Sequence, residues 1–120
     1  MADNQLVTTS KAFAVDTINL CEELKHRGKA TAVINQLLRS GTSIGANIHE
    51  ANYASSKADF INKFQIALKE CYETDYWLSV FCDAKVVSED EYDRMFSQCS
   101  KIRKLLIASI TTAKHNGQPQ

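Results

Sequence analysis

Residues 34–51 read INQLLRSGTSIGANIHEA, and this stretch decides the fold. Apolar and small residues recur in it at steps of three and four, which is the period of one face of an α-helix. These residues are Ile34, Leu37, Leu38, Gly41, Ile44, Gly45, Ile48 and Ala51. The stretch contains no proline, so nothing in it forces a helix to end. The pattern predicts a long helix, helix 2, over about residues 30–54.

Small side chains occupy every side of two helical turns in the middle of helix 2. Glycine inside a helix costs ~1 kcal/mol relative to alanine, a loss that close packing of another helix against Gly41 and Gly45 can offset. On the other sides, we expect Ser40, Ser43 and Asn47 to lie at a contact with another copy of the chain. The alternative interpretation is a loop or kink that interrupts helix 2 at this point.

Three further stretches show the helical period, and each has a recognisable beginning or end. Helix 1 is predicted to stop at Gly28, because glycine favours the left-handed conformation that follows many helices. Helix 3 is predicted to begin at Ser55 or Ser56, the latter three residues before Asp59. Helix 4 is predicted to begin after Ser88, three residues before Glu91. Both spacings are typical of helix caps. The apolar positions expected in the core are Phe13, Val15, Ile18, Cys21 and Leu24 in helix 1, Phe60, Ile61, Phe64, Ala67, Leu68, Cys71, Leu78, Phe81 and Cys82 in helix 3, and Tyr92, Met95, Phe96, Cys99, Ile102, Leu106 and Ile110 in helix 4.

Residues that punctuate strands and turns are nearly missing, since the single proline is Pro119 and only four glycines occur. The expected helices cover about residues 5–27, 30–54, 56–84 and 89–114. Helices of ~35–40 Å that are joined by short connections pack as antiparallel neighbours. The sequence therefore predicts an all-α protein, an antiparallel up-down-up-down four-helix bundle that forms one domain over residues 1–120.

Composition restricts the class of protein. The chain has 14 basic and 14 acidic residues, so it lacks the strongly basic balance that is typical of many nucleic-acid-binding proteins. Its N-terminal segment is polar and predicts neither a signal peptide nor a membrane span. The four cysteines lie in helical apolar patterns without CxxC spacing. We expect reduced thiols in the core of a cytoplasmic protein rather than a disulfide framework.

Helix 3 carries a second apolar seam outside its core stripe. On a helical wheel Ile66, Trp77 and Val80 share one flank, and Tyr76 lies beside them. Exposed apolar stripes are rare on monomers, and aromatic residues are enriched at protein contacts. The seam therefore predicts a homo-oligomer interface. The alternative is that these side chains are half-buried at the edge of a single bundle.

Two charged residues fall where the wheel predicts apolar surroundings, Asp75 on helix 3 and Arg103 on helix 4. Buried charges need partners. In an antiparallel pair of helices Arg103 lies near the level of Glu70, with Asp75 about one turn away. We expect a buried ion pair between Arg103 and one of these carboxylates, with a structural rather than a chemical role.

The chain lacks the patterns that enzymes built on helical bundles use. A carboxylate-bridged metal site needs Glu-x-x-His pairs on two helices, and neither Glu70 nor Glu73 is followed by such a histidine. A serine nucleophile needs a base on the same face, but His49 lies six residues from Ser43, which is the wrong separation. We therefore expect no enzyme activity, no catalytic residues, no metal and no cofactor, and we identify no small-molecule substrate.

Two basic clusters are candidates for binding nucleic acid. The first contains Lys25, Arg27 and Lys29 at the corner between helices 1 and 2, and the second contains Arg94, Lys101 and Lys104 on the outer side of helix 4. A basic stripe can bind phosphates, and an oligomer would repeat it. The alternative is a solvated helix of mixed charge, because acidic residues lie close to the same side of helix 4.

Several long segments resemble one known family. They are Asn35–Ala51, Ser56–Ile61, Ile66–Glu70 and Glu73–Leu78. They are similar to the four-helix-bundle proteins encoded within intervening sequences of bacterial 23S ribosomal RNA genes, over about residues 10–114. The resemblance implies a bundle of unsettled function that assembles as a homopentamer. It supplies no catalytic residues.

The same resemblance implies kinship with the accessory variability determinant of diversity-generating retroelements, a pentameric bundle whose basic surface engages nucleic acid and the reverse transcriptase. This chain differs from that relative in its balanced charge. Taken together, the residues and the resemblance predict a non-enzymatic, oligomeric interaction scaffold of the bacterial cytoplasm. The alternative is an accessory protein that binds RNA, DNA or a nucleic-acid-bound protein through its basic clusters, and neither interpretation involves a membrane.

Overall fold

The computed structural model describes residues 4–116 and shows an all-α four-helix bundle, as predicted. Its helices are α1 (Asn4–His26), α2 (Thr31–Ala51), α3 (Lys57–Asp83) and α4 (Glu89–Asn116). The bundle measures 55 × 22 × 20 Å, so the helices run along its long axis.

Each helix packs against two others, in the cyclic order α1, α2, α3, α4, and diagonal pairs of described helices do not meet. Side-chain contacts show the directions of the helices. Arg39 on α2 reaches Glu73 on α3, whereas Glu50, further along α2, reaches Lys63, which comes earlier on α3. Residues of rising number on α2 thus meet residues of falling number on α3. The two helices are therefore antiparallel.

The connections follow the expected cap chemistry. Gly28 adopts a φ of 81°, and the N–H of Lys29 donates to the carbonyl of Leu24, so a left-handed glycine ends α1. At the start of α4 the Ser88 hydroxyl accepts from the N–H of Glu91 at 3.0 Å. The Glu91 carboxylate accepts from the N–H of Ser88 at 2.9 Å in return, which completes a capping box.

Helix α2 runs without interruption through both of its glycines, so the loop or kink considered as an alternative is not formed. A methyl group added to Gly41 would lie 2.7 Å from Cγ2 of Thr17, and one added to Gly45 would lie 3.2 Å from the carbonyl oxygen of Ser10. The two glycines therefore let α1 approach closely. The helix ends at Ala51 rather than near residue 54, because the next N–H groups bond in the tighter i to i−3 pattern.

The core contains fully buried side chains from all four helices, among them Phe13, Leu24, Ile44, Phe64, Leu78, Met95 and Ile102. The prediction that Val15 and Ile18 are core residues is wrong, since their exposed fractions are 50 % and 40 %. The small polar residues Ser10 and Thr17 take the positions that face α2 instead. Their small size is what allows the close approach of the two helices.

Candidate functional site

The best candidate for an interaction site is the outer surface between α2 and α3. We call this surface the α2/α3 face. On α2 it follows residues 39, 43, 47 and 50, which are three or four positions apart and therefore share one side of the helix. On α3 it follows Lys63, Ile66, Glu70, Glu73, Tyr76, Trp77 and Val80. Ion pairs across the two helices, described next, define its centre and one end.

One arginine joins the two helices at the centre of this face. Arg39 donates to the carboxylate of Glu70 at 3.0 Å and also pairs with Glu73. The hydrogen bond from Arg39 is the main reason that the pKa of Glu73 lies below its usual range, and the two carboxylates raise the pKa of Arg39. Towards one end of the face Lys63 pairs with Glu50 at 3.2 Å. These pairs set the relative position of α2 and α3.

The single tryptophan of the chain is held by the same network. The indole Nε1–H of Trp77 donates to the Glu73 carboxylate at 3.1 Å, so Arg39 orients the ring through Glu73. Trp77 is half-buried, and Tyr76 packs edge-on against it with the ring centres 5.1 Å apart. An aromatic pair oriented by charged groups at the surface is a good anchor for a protein contact.

The structure brings the predicted seam residues together at this face. Val80 and Trp77 pack partly against the core, whereas the exposed fractions of Ile66 and Tyr76 are 36 % and 59 %. Trp77 and Val80 are therefore half-buried at the edge of a single bundle, as the alternative predicts. The interpretation as an interface between copies depends on Ile66 and Tyr76, which are exposed. Sequence reasoning missed Arg39 and Glu73 as the groups that orient Trp77. The spacing of Glu73 and Trp77, four residues apart on one helix, was the available signal.

Ser43 and Asn47 lie on this face, and both are partly exposed. The prediction that Ser40 lies at a contact between copies is wrong. Ser40 is fully buried inside the chain, where its hydroxyl accepts a hydrogen bond of 3.0 Å from Thr74. It therefore helps to join α2 to α3 within one bundle.

The run Gly41-Thr42-Ser43-Ile44-Gly45 matches the Gly-x-Ser-x-Gly pattern of hydrolases, but it lacks the required context. A nucleophile elbow is a strand-to-helix turn. Here the run lies in the middle of α2, and the Ser43 hydroxyl donates to the carbonyl of Arg39 at 2.6 Å. His49, which was considered as a base for Ser43, contacts the ring of Tyr53. The run therefore serves helix packing.

The predicted carboxylate partners of Arg103 separate in the structure. Arg103 donates to Asp75 at 3.2 Å, whereas Glu70 is turned to Arg39 on the opposite side of α3. Glu70 is therefore not a member of the Arg103 pair. Arg103 and Asp75 keep exposed side-chain fractions of 19 % and 17 %, so the pair is mostly rather than completely buried.

The second oxygen of Asp75 is buried and has no hydrogen-bond partner among the described residues. Burial raises the pKa of Asp75, and this effect outweighs the opposing influences of Cys99 and Arg103. The thiol of Cys99 lies beside this carboxylate and donates to the carbonyl of Cys71 at 3.6 Å. The cluster links α3 to α4 in the bundle interior.

The two basic clusters differ in how free their charges are. Arg27 pairs with Glu23 at 3.0 Å and with Glu91 at 2.9 Å, so much of its charge is offset, while Lys25 is exposed and Lys29 is partly exposed. In the second cluster Arg94, Lys101 and Lys104 are exposed on α4, and none of these three forms an ion pair with a described residue.

Within residues 4–116 no three His, Cys, Asp or Glu side chains are grouped so that they could hold a metal ion. All four cysteines are free thiols, and Cys82 is the least buried of them. None of the helices in the described part of the chain is both long enough and apolar enough to cross a membrane.

Comparison with known proteins agrees with this fold. A solved structure from Bacteroides thetaiotaomicron VPI-5482, a protein of unknown function from the S23 ribosomal protein family, is 45 % identical and superimposes with a TM-score of 0.89. The match covers 92 % of this chain and 99 % of that one. Comparison with the curated proteins finds no match. The model of the 23S rRNA-intervening sequence protein family matches residues 2–108, and the chain therefore belongs to that family.

Proposed function

We propose that the chain is a non-enzymatic interaction scaffold of the bacterial cytoplasm, which assembles with copies of itself through the α2/α3 face. The observation that carries this proposal is the oriented Trp77, with exposed Tyr76 and Ile66 beside it. Such a patch has more apolar and aromatic surface than a single bundle covers. The resemblance to pentameric bundles supports a closed homo-oligomer, and we propose five subunits.

The solved neighbour is a protein of unknown function. What supports a contact rather than an active site is the chemistry of the face. Its charged groups pair with each other across α2 and α3, which leaves aromatic and aliphatic side chains for a partner.

Light scattering coupled to size exclusion tests this proposal directly, with two tyrosines of α3 as a matched pair. Tyr76 and Tyr72 have similar exposed fractions, 59 % and 53 %, but only Tyr76 lies on the α2/α3 face. We expect an oligomeric parent protein, a smaller mass or a weaker assembly for Tyr76→Ala, and the parent mass for Tyr72→Ala. A monomeric parent protein at micromolar concentration contradicts the proposal.

A second candidate function rests on the unpaired cations of α4. Arg94, Lys101 and Lys104 are exposed and free of ion pairs with described residues, so their charges are available to phosphates. An assembly would present several copies of this stripe, which supports an accessory protein that binds RNA or DNA, or a protein bound to it.

Nucleic-acid binding is best tested by fluorescence anisotropy with single-stranded and duplex oligonucleotides at 50 and 200 mM salt. If the stripe binds phosphates, affinity falls steeply with salt, and Lys101→Glu with Lys104→Glu abolishes it. Lys57→Glu with Lys114→Glu provides a control of equal charge change away from the stripe. Affinity that is unchanged in the stripe variant excludes this second function.

A further inference from the structure

An open groove lies at the end of the bundle where α2 ends and α3 begins. Its volume is about 740 Å³, which is within the range of small-molecule pockets in proteins, and we call it the end groove. Its lining comes from the connection between α2 and α3, from Lys57, Phe60 and Phe64 on α3, and from the last turns of α4. None of the described residues that line it belongs to the α2/α3 face.

Small side chains on α4 explain why this space is not filled. Beyond Leu105, the side of α4 that lines the groove carries Ala108, Ser109, Thr112 and Ala113. A tightly packed end of the bundle would need a large apolar side chain at one or two of these positions. The end groove therefore results from four small residues that follow one another along one side of α4.

An aromatic pair forms the apolar floor of the end groove. The ring centres of Phe60 and Phe64 are 4.5 Å apart. Phe64 is fully buried, whereas Phe60 is only partly buried and lines the groove together with Leu105, which is also partly buried. A ligand with an apolar body would remove the surface of Phe60 and Leu105 from water, which favours binding.

The end groove is elongated. Its α4 side extends from Leu105 to Asn116, which is ~16 Å at 1.5 Å per residue. Because α3 and α4 pack side by side and are joined by a short connection, the beginning of α3 is level with the end of α4. Lys57 therefore lies with Asn116 at the outer end of the groove, and Leu105 lies at the inner end. This shape suits a linear chain better than a compact ring system.

A single lysine carries the charge of the lining. Lys57 is exposed and forms no ion pair with a described residue. No aspartate or glutamate in the described part of the chain lines the groove. Asp59, two positions further along α3, lies outside the lining, and its carboxylate accepts from the N–H of Ser55 at 3.2 Å. The groove is therefore cationic at its outer end and apolar or neutral elsewhere.

We propose that the end groove binds a linear amphiphile with a carboxylate head, namely a medium-chain fatty acid. The carboxylate lies at Lys57, and the alkyl chain extends over Phe60 towards Leu105. Apolar contact supplies most of the affinity, and the lysine selects the charge of the head and fixes the orientation of the chain. The inference goes beyond the proposed function, because it uses neither the α2/α3 face nor the exposed cations of α4.

Isothermal titration calorimetry with decanoate, at concentrations below those at which decanoate forms micelles, tests the inference on the full chain. We expect saturable binding of one decanoate per chain. Octanoate should bind about tenfold more weakly, because it buries two methylene groups fewer. Decyltrimethylammonium, a cation with the same alkyl chain, should not bind. The absence of saturable decanoate binding, or equal binding of the cation, overturns the inference.

Two neighbouring threonines place the ligand in the groove. Thr112 lines the groove and Thr111 does not, and both are exposed on α4. We expect Thr112→Phe to fill the groove and abolish saturable decanoate binding, and Thr111→Phe to keep the parent affinity. If far-UV circular dichroism shows that Thr112→Phe is unfolded, Ala108→Phe replaces it with the same expected outcome. Parent affinity in the folded, filled variant overturns the inference, because the ligand then binds elsewhere.

Lys57→Gln tests the position of the carboxylate. We expect this variant to bind decanoate about threefold more weakly, as for an exposed ion pair, and to bind neutral decanol as the parent does. Lys114→Gln is the control, because Lys114 is exposed near the end of α4 but does not line the groove. Equal losses in the two variants, or no loss in Lys57→Gln, overturn the assignment of the carboxylate to Lys57.

Light scattering separates this inference from the proposed function. A monomeric parent protein that binds decanoate contradicts the proposed assembly alone. An oligomeric parent protein that does not bind decanoate contradicts the end groove alone.

Discussion

Gly41 and Thr17 show how one absent side chain determines the distance between two helices. The closest approach to a Cβ at Gly41 is made by Thr17, whose hydroxyl donates to the carbonyl of Phe13 at 2.8 Å. Because threonine is stiff in a helix and this one is also hydrogen-bonded, it cannot simply rotate away. The two residues therefore behave as a complementary pair.

We expect Gly41→Ala to destabilise the protein by about 1–3 kcal/mol through overpacking, partly offset by the better helix propensity of alanine. In a Thr17→Ala background the clash is relieved, and the same substitution then stabilises α2 by up to ~1 kcal/mol. Urea unfolding of the four proteins of this double-mutant cycle measures the coupling. Equal effects of Gly41→Ala in both backgrounds would show that Thr17 does not set the contact.

Asp75 is a carboxyl group whose ionised form is opposed by its surroundings. Its pKa is raised in the folded protein, chiefly by burial, so the ionised form is disfavoured there relative to the unfolded chain. The stabilising contribution of Asp75 is therefore fully present below its unfolded pKa, and it is lost as pH rises through the raised folded pKa. At neutral pH the buried charge acts against folding.

Asp75→Asn isolates this effect, because asparagine is nearly isosteric and does not titrate. We expect the stability of the parent protein relative to Asp75→Asn to increase as pH falls from 7 towards 4, measured by urea unfolding at each pH. Asp93→Asn, at an exposed position, serves as the control and shows no such trend. A relative stability of the parent that decreases over this range contradicts the raised pKa.

At the scale of helices and their ends, the capping box of α4 links local sequence to tertiary contact. The Glu91 side chain accepts from the N–H of Ser88 and also from Arg27, the residue that follows α1. Both bonds lower the pKa of Glu91, and the bond from the Ser88 N–H has the larger effect. The box therefore fixes the beginning of α4 and ties it to the end of α1.

Ser88→Ala removes the hydroxyl that accepts from the first turn of α4 and is expected to cost about 1 kcal/mol of folding free energy. Glu91→Gln tests the electrostatic part separately. Because the folded pKa of Glu91 is lowered, its stabilisation is present at neutral pH and is lost as pH falls through that value. Thermal unfolding at pH 7 and pH 4 checks this, with Glu89→Gln as the control. If the unfolding temperatures of the parent and Glu91→Gln differ as much at pH 4 as at pH 7, the lowered pKa of Glu91 is contradicted.

The four helices and their caps could be predicted from local pattern, because each boundary has its own chemical signal, as at Gly28 and Ser88. Which side of α1 faces the core could not be predicted completely. Its aliphatic residues Val15 and Ile18 point outward and the smaller Ser10 and Thr17 point inward. Hydrophobicity alone predicts that Val15 and Ile18 are more buried than Ser10 and Thr17, and the structure shows the reverse. The reason is the close approach of α1 to the glycines of α2, which requires small side chains on α1.

For the molecule as a whole, the candidate contact could be predicted only in part. The wheel of α3 places Trp77 and Ile66 on one flank, because that is a property of a single helix. The role of Arg39 depends on how α2 and α3 are aligned, and so does the burial of Ser40. The contacts of Arg39 and Ser40 form between two helices and leave no periodic pattern in the sequence of either helix. Sequence reasoning missed these two contacts for that reason.

Because Trp77 is the only tryptophan, its fluorescence reports on the α2/α3 face of the whole assembly. We expect its emission maximum to shift to the red on dilution, since an indole that is half-buried in one chain loses the cover of a neighbouring copy. The midpoint of thermal unfolding should fall over the same range, because binding between folded copies stabilises them by mass action. Tyr72→Ala should follow the parent curve, whereas Ile66→Asp should show the red-shifted emission at every concentration. If the mass falls on dilution and the emission stays constant, the contact between copies lies away from Trp77.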